Sequence, residues 1–94
     1  EDQVIILSQS LALVMFTVYI LYSKSLDRYY TGHTASTEDR LLRHNKGRSK
    51  ATKTGTPWTI VHTETFNNKS DAYKRELEIK AKKSRIYIEK LIAG

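Results

Sequence analysis

The chain has 94 residues, the size of one domain, and its 39% hydrophobic content supports a single modest core. Lys and Arg number 16 against 10 Asp and Glu, a formal net charge of +6, which suits a polyanionic partner and, less specifically, an anionic membrane surface. Cysteine is absent, which excludes disulfides and thiolate metal sites and fits a reducing cytoplasm.

The stretch from Gln3 to Ser23 carries no charge and reaches the roughly 20 residues that a membrane-spanning helix needs. Ser8, Gln9, Ser10, Thr17, Tyr19 and Tyr22 interrupt it, and after Met15 the pattern changes to alternation with period two. A strand is therefore the better reading from Phe16 onward, and a membrane is the disfavoured partner. Residues 1 to 14 read as an N-terminal extension, either non-native or a mistaken start, because the patterned domain opens at Met15 and spans 15 to 94. Acidic Glu1 and Asp2 argue against a secretory signal.

β-Branched and aromatic residues dominate Phe16 to Ser23, a polar turn follows, and a second strand-like run covers Tyr29 to Thr34. A turn about Ser25 and Leu26 pairs Leu21 with Tyr30, which sets Tyr19 and Tyr30 on one sheet face as diagonal neighbours. Ser36 followed by Asp39 is a capping-box-like start for a helix to about Asn45, with Gly47 as the stop signal. Lys46 to Pro57 reads as an exposed basic loop. Trp58 to Phe66 then alternates as a third strand, with Trp58 a core residue at its start. Asn68 or Ser70 can cap a helix to about Lys82. Ser84 can cap a last helix whose Ile86, Ile88, Leu91 and Ile92 pack back on the sheet. The order β-β-α-β-α-α predicts an α+β fold, a small three-stranded antiparallel sheet flanked by helices.

On the second of these helices, at about 100° per residue, Ala72, Tyr73, Leu77 and Ile79 define an apolar arc that also contains Glu76 and Lys80. An inward carboxylate must be paired, hydrogen-bonded or metal-bound. The plainer explanation is an ion pair with Lys80 at the favourable i, i+4 spacing. Arg40 and His44 share a face of the first helix. Between Leu41 and Thr54 lie Arg43, Lys46, Arg48, Lys50 and Lys53 with no acidic residue among them. Such a run is usually a solvated face, yet beside a Tyr-bearing hairpin it suits a DNA backbone. His33, His44 and His62 show no metal-ligand spacing, and structural or surface roles suit His33 and His62. Phosphate-loop glycines and nucleophilic triad motifs are missing.

Taken together, Thr17-Val18-Tyr19, Tyr30-Thr31-Gly32, Arg40 with His44-Asn45, and Glu76 within Arg75 to Lys80 resemble the GIY-YIG nuclease superfamily from about Met15 to Ile92. The likeness is to small stand-alone bacterial members related to the nuclease module of the UvrC repair protein. Thr17 and Val18 replace the family's first Gly and Ile, and Thr31 replaces its second Ile; none of the three supplies the chemistry.

The resemblance implies a metal-dependent endonuclease that hydrolyses DNA phosphodiester bonds in repair or recombination. Tyr19 would act as general base, Tyr30 would orient the water or the phosphate, and Arg40 would stabilise both phenolate and transition state. His44 would sit near the phosphate. Glu76 would hold one Mg²⁺, or Mn²⁺ in its place. Lys80 would pair with Glu76 or join the basic loop on DNA. Without an added recognition domain, specificity would come from DNA shape or a partner protein. The alternative is a non-catalytic nucleic-acid-binding module with the same fold. A membrane-tethered domain anchored through residues 3 to 23 is a third reading.

Overall fold

A computed structural model of the chain describes residues 15 to 94, so the extension expected over residues 1 to 14 lies outside the described part. Two strands, β1 (Phe16–Ser23) and β2 (Arg28–Thr34), form the hairpin, and α1 (Thr37–Asn45) follows. A loop leads to β3 (Trp58–Phe66), and two helices end the chain, α2 (Lys69–Lys82) and α3 (Arg85–Ala93). The sheet order is β2-β1-β3, antiparallel throughout, as the α+β reading expects. Among the described residues no helix is long and apolar enough to cross a membrane, and the uncharged stretch ends as the central strand.

Leu21 pairs with Tyr30 and Tyr19 with Gly32, the register that a turn at Ser25 and Leu26 requires. Because strand side chains alternate, β1 feeds two separate cores. Val18 packs against Ala72 and Ile79 of α2, with Phe16, Phe66, Tyr87, Ile88 and Leu91 around them. On the opposite face Tyr19, Leu21 and Trp58 gather with Tyr30, Leu41 and Ile60. The sheet therefore carries α2 and α3 on one side and α1 with its following loop on the other.

Helix starts follow the sequence at two of three places. Asn68 accepts a hydrogen bond from the Asp71 amide at 2.8 Å, and Ser84 accepts one from Tyr87 at 3.1 Å. Ser36 stands at the N-cap of α1 but makes no side-chain cap. Thr34 instead braces the junction, accepting from the Ser36 amide at 3.0 Å and donating to the Ser36 carbonyl at 3.2 Å. The capping box expected from Ser36 and Asp39 is thus replaced by a threonine at the end of β2.

Three packing expectations are corrected. Tyr73 and Leu77 are exposed, because α2 contacts the sheet along Ala72, Glu76 and Ile79, and a residue about 90° or more from the middle of that line falls on the flank. Ile86 is exposed and Tyr87 takes its place among the residues on the sheet. The loop after α1 is only partly exposed, since Thr52 and Gly55 are buried in it. The Trp58 indole N–H donates to the Thr52 carbonyl at 2.6 Å, and Asn45 bonds both the amide and the carbonyl of Trp58, at 2.6 and 3.1 Å. That brace pulls the middle of a polar segment inward.

Candidate active site

Tyr19 lies on the central strand, where its ring crosses toward β2 over Gly32. A Cβ on Gly32 would stand 2.5 Å from the Tyr19 hydroxyl and 2.7 Å from Cζ, so only glycine leaves the phenol its place. Tyr30 is the diagonal neighbour, with ring centroids 6.5 Å apart. From α1, His44 brings Nε2 to 2.9 Å from the Tyr19 oxygen and meets the Tyr30 ring edge-on at 5.1 Å. Its other nitrogen, Nδ1, is 2.6 Å from the hydroxyl of Thr52. Tyr19, His44 and Thr52 are all buried.

Burial, and then the neighbouring Tyr30, push the Tyr19 hydroxyl well above the usual tyrosine range; Glu76 adds to this and Arg40 opposes it. Arg40 therefore acts on Tyr19 in the expected sense, but desolvation is the larger effect. Burial, then Arg40 and Arg43, hold His44 below its ordinary value, so its ring is neutral near pH 7. Tyr30, Arg40, Arg43, His44, Arg48 and Ser49 line one concavity, and Arg43, Lys46 and Arg48 continue into the next along α1. Lys50 and Lys53 are exposed farther along the loop.

Glu76 is on the other side of β2. Its Oε1 is 2.5 Å from His33 Nδ1 and its Oε2 accepts from Lys80 at 2.6 Å, while the Lys80 ammonium also lies 5.6 Å from the Tyr30 ring centroid. Burial would raise the Glu76 carboxyl, but the hydrogen bonds from Lys80 and His33 outweigh it and keep the group below the ordinary carboxylate range. The i, i+4 pair expected from the sequence is present, and Glu76 is an ionised oxygen donor. That is the chemistry a hard divalent cation takes, and one carboxylate suffices for an ion that keeps most of its waters. Among the described residues no cluster of three or more candidate ligands exists, so a cation here would rest on Glu76 and water.

His33 was expected in a structural or surface role, and the structure sets it on Glu76. The hairpin register holds the signal: with Tyr30 and Gly32 on the Tyr19 face, His33 must point to the α2 face, opposite Val18. His62 pairs with Glu64 at 2.8 Å, and Arg75 forks onto the same carboxylate at 2.8 and 3.1 Å, fastening α2 to β3.

The family model described as the GIY-YIG catalytic domain matches residues 15–90. The chain belongs to the GIY-YIG family. Among its relatives, a UPF0213 protein of Staphylococcus haemolyticus is 45% identical over 64 residues, 67% of this chain and 77% of the relative. A UPF0213 protein of Natronomonas pharaonis is 44% identical over 77 residues, 81% of this chain and 88% of the relative. The solution NMR structure of a UPF0213 protein from Bacillus halodurans aligns with a TM-score of 0.53 at 34% identity, covering 84% of this chain and 83% of that one. On this GIY-YIG framework, Tyr19, Tyr30, Arg40 and His44 gather on the α1 face, with Glu76 and Lys80 reaching the same edge of β2 from the α2 face.

Proposed function

We propose that this GIY-YIG chain is an endonuclease that hydrolyses DNA phosphodiester bonds with Mg²⁺, or Mn²⁺ in its place, acting in the cytoplasm on repair or recombination intermediates. The observation that carries the reading is the meeting, at the edge of β2, of two phenols, a cationic concavity and an ionised inward carboxylate. Each part has a task in phosphodiester hydrolysis.

Arg40, Arg43 and Arg48 hold the phosphate in the concavity beside Tyr30, and Lys46, Lys50 and Lys53 extend the cationic track for the flanking backbone. Tyr30 orients the attacking water or the phosphate, and Tyr19, in the phenolate form that Arg40 stabilises, takes the water's proton and becomes the neutral phenol. Arg40 opposes the desolvation of Tyr19 and also faces the charge that develops on the phosphate in the transition state. Glu76 is the residue that would hold the cation, which when bound supplies Lewis-acid stabilisation of the phosphate oxygens. Lys80 neutralises Glu76 until then. Substrate choice rests on DNA shape or on a partner protein that brings specificity.

The test is cleavage of nicked, flapped, branched and single-stranded DNA with and without Mg²⁺, by the wild type and by Tyr19→Phe, after contaminating nucleases are excluded. The wild type should cut only with the metal. Deleting the single hydroxyl should lower the rate about 10²- to 10⁴-fold with DNA affinity retained. Equal rates for the two proteins would leave a binding module, not an enzyme.

A further inference from the structure

From Arg40 the cationic surface also runs away from Tyr30, around the far end of β2. Arg40 and Arg43 line both the concavity beside Tyr30 and a larger one of about 500 Å³, whose wall includes Phe16, His33, Asp39 and Lys69. His33 and Lys69 in turn line a third hollow, with Ser70 and Tyr73 from the first residues of α2. Because neighbouring hollows share walls, a DNA strand with one phosphate at Arg40 has a continuous path to Tyr73. Arg40, Arg43 and Lys69 outnumber the one acid on that path, Asp39, which is the balance a phosphate backbone needs.

The path ends on an aromatic ring. Tyr73 is 49% exposed, and its ring lies beside that of His33, with centroids 5.5 Å apart. The imidazole is held from behind by Glu76 through Nδ1, so the two rings form a fixed corner. Singly exposed aromatic side chains are common on protein surfaces. This one closes a cation-lined track, and the hollow it lines is mostly apolar, whereas the two hollows that lead to it are walled by charged side chains. A polyanion that carries flat apolar faces at every step is a nucleic-acid strand, and any base can lie on an aromatic ring because each has a π face.

We propose that Tyr73 is a stacking platform for one nucleobase, turned out of its own stack beside the scissile phosphate, with Lys69 on the adjoining backbone. This deepens the nuclease reading and rests on it for the strand's position at Arg40, though not for the stacking itself. His33 links the platform to the chemistry, since its ring abuts Tyr73 and its Nδ1 is 2.5 Å from Glu76. The base therefore rests one side chain away from the carboxylate. Held there on one side and by Arg40 and Arg43 on the other, the strand between them is fixed in place for attack.

Binding to the full chain without metal tests the site, with two probes: a short single-stranded DNA, and the same sugar-phosphate chain with every base removed. Tyr73→Ala should bind the base-bearing strand about 5- to 150-fold more weakly than the wild type, the scale of one base stacked on a ring. It should bind the base-free chain as the wild type does, which also shows that the fold is intact. Tyr73→Phe keeps the ring and should match the wild type on both probes. Unchanged affinity of Tyr73→Ala for the base-bearing strand would overturn the proposal, as for a hollow that docks a protein instead. An equal loss on both probes would overturn it as well, because the ring would then serve the backbone or the fold. Base-dependent binding through Tyr73 in a protein that never cuts DNA would end the nuclease reading alone, and cleavage by a chain whose binding ignores Tyr73 would end the platform alone.

Discussion

On the α1 side of β2, Tyr19 and His44 are each 2% exposed and Thr52 is 0% exposed, and all three are neutral groups joined by two hydrogen bonds. On the α2 side, the Glu76 carboxylate is charged, and its partners His33 and Lys80 keep side-chain exposures of 19% and 45%. Burying a hydroxyl or a neutral imidazole is compensated by about one hydrogen bond per group. A buried carboxylate needs more, and here it has two partners, one of them a cation still in contact with water. The dry side suits proton positioning and the wet rim suits an exchangeable cation. Tyr30, whose ring lies 5.6 Å from the Lys80 ammonium and 5.1 Å from the His44 ring, is the point at which the two sides approach each other.

The largest expected effect is on the rim. Glu76→Gln keeps size and hydrogen bonding and removes the charge, so cleavage should fall by on the order of 10³-fold, the scale of a lost metal contribution of several kcal/mol. DNA affinity without metal should stay the same or rise. Stability should change by at most about 1 kcal/mol, because the charge left behind, Lys80, can turn to water. A fall of about 3–5 kcal/mol in denaturant unfolding, with cleavage intact, would make Glu76 a structural ion-pair residue and break the comparison.

Next comes Gly32, where Tyr19 crosses the edge strand. Gly32→Ala sets a methyl group where the Tyr19 hydroxyl now lies, and the phenol must move. Displacement on the scale of 1 Å costs about 10²-fold in rate. Overpacking of this kind adds about 1–3 kcal/mol of destabilisation. Loss of stability without loss of rate would separate Tyr19 from the chemistry.

The smallest effect concerns the basic tract. Neutralising two of Arg43, Lys46, Arg48, Lys50 and Lys53 should reduce the slope of log affinity against log salt by roughly two, at about 0.9 per phosphate contact. Binding should weaken alike for different DNA sequences. An unchanged slope would move the DNA path toward Lys82, Lys83 and Arg85.

By itself the sequence determined what depends on local periodicity and turn chemistry. Alternation from Phe16 and the polar turn defined the hairpin register, and that register sets Tyr19 and Tyr30 on one face. Asn68 and Ser84 marked two helix starts, and the 100° repeat turned Glu76 inward with Lys80 in reach. The order of tyrosines, arginine, histidine and glutamate was enough to point to the family. Only the tertiary structure decided which partners those residues meet across the chain. His33 lies 43 residues from Glu76, and no repeat of period two or 3.6 spans a strand, a helix and a loop. Thr52 sits in a segment that reads as solvated, and it is buried because Asn45 and Trp58 close the loop over the sheet. Composition measures a segment's average affinity for water, whereas burial of one hydroxyl is decided by the single hydrogen bond that awaits it.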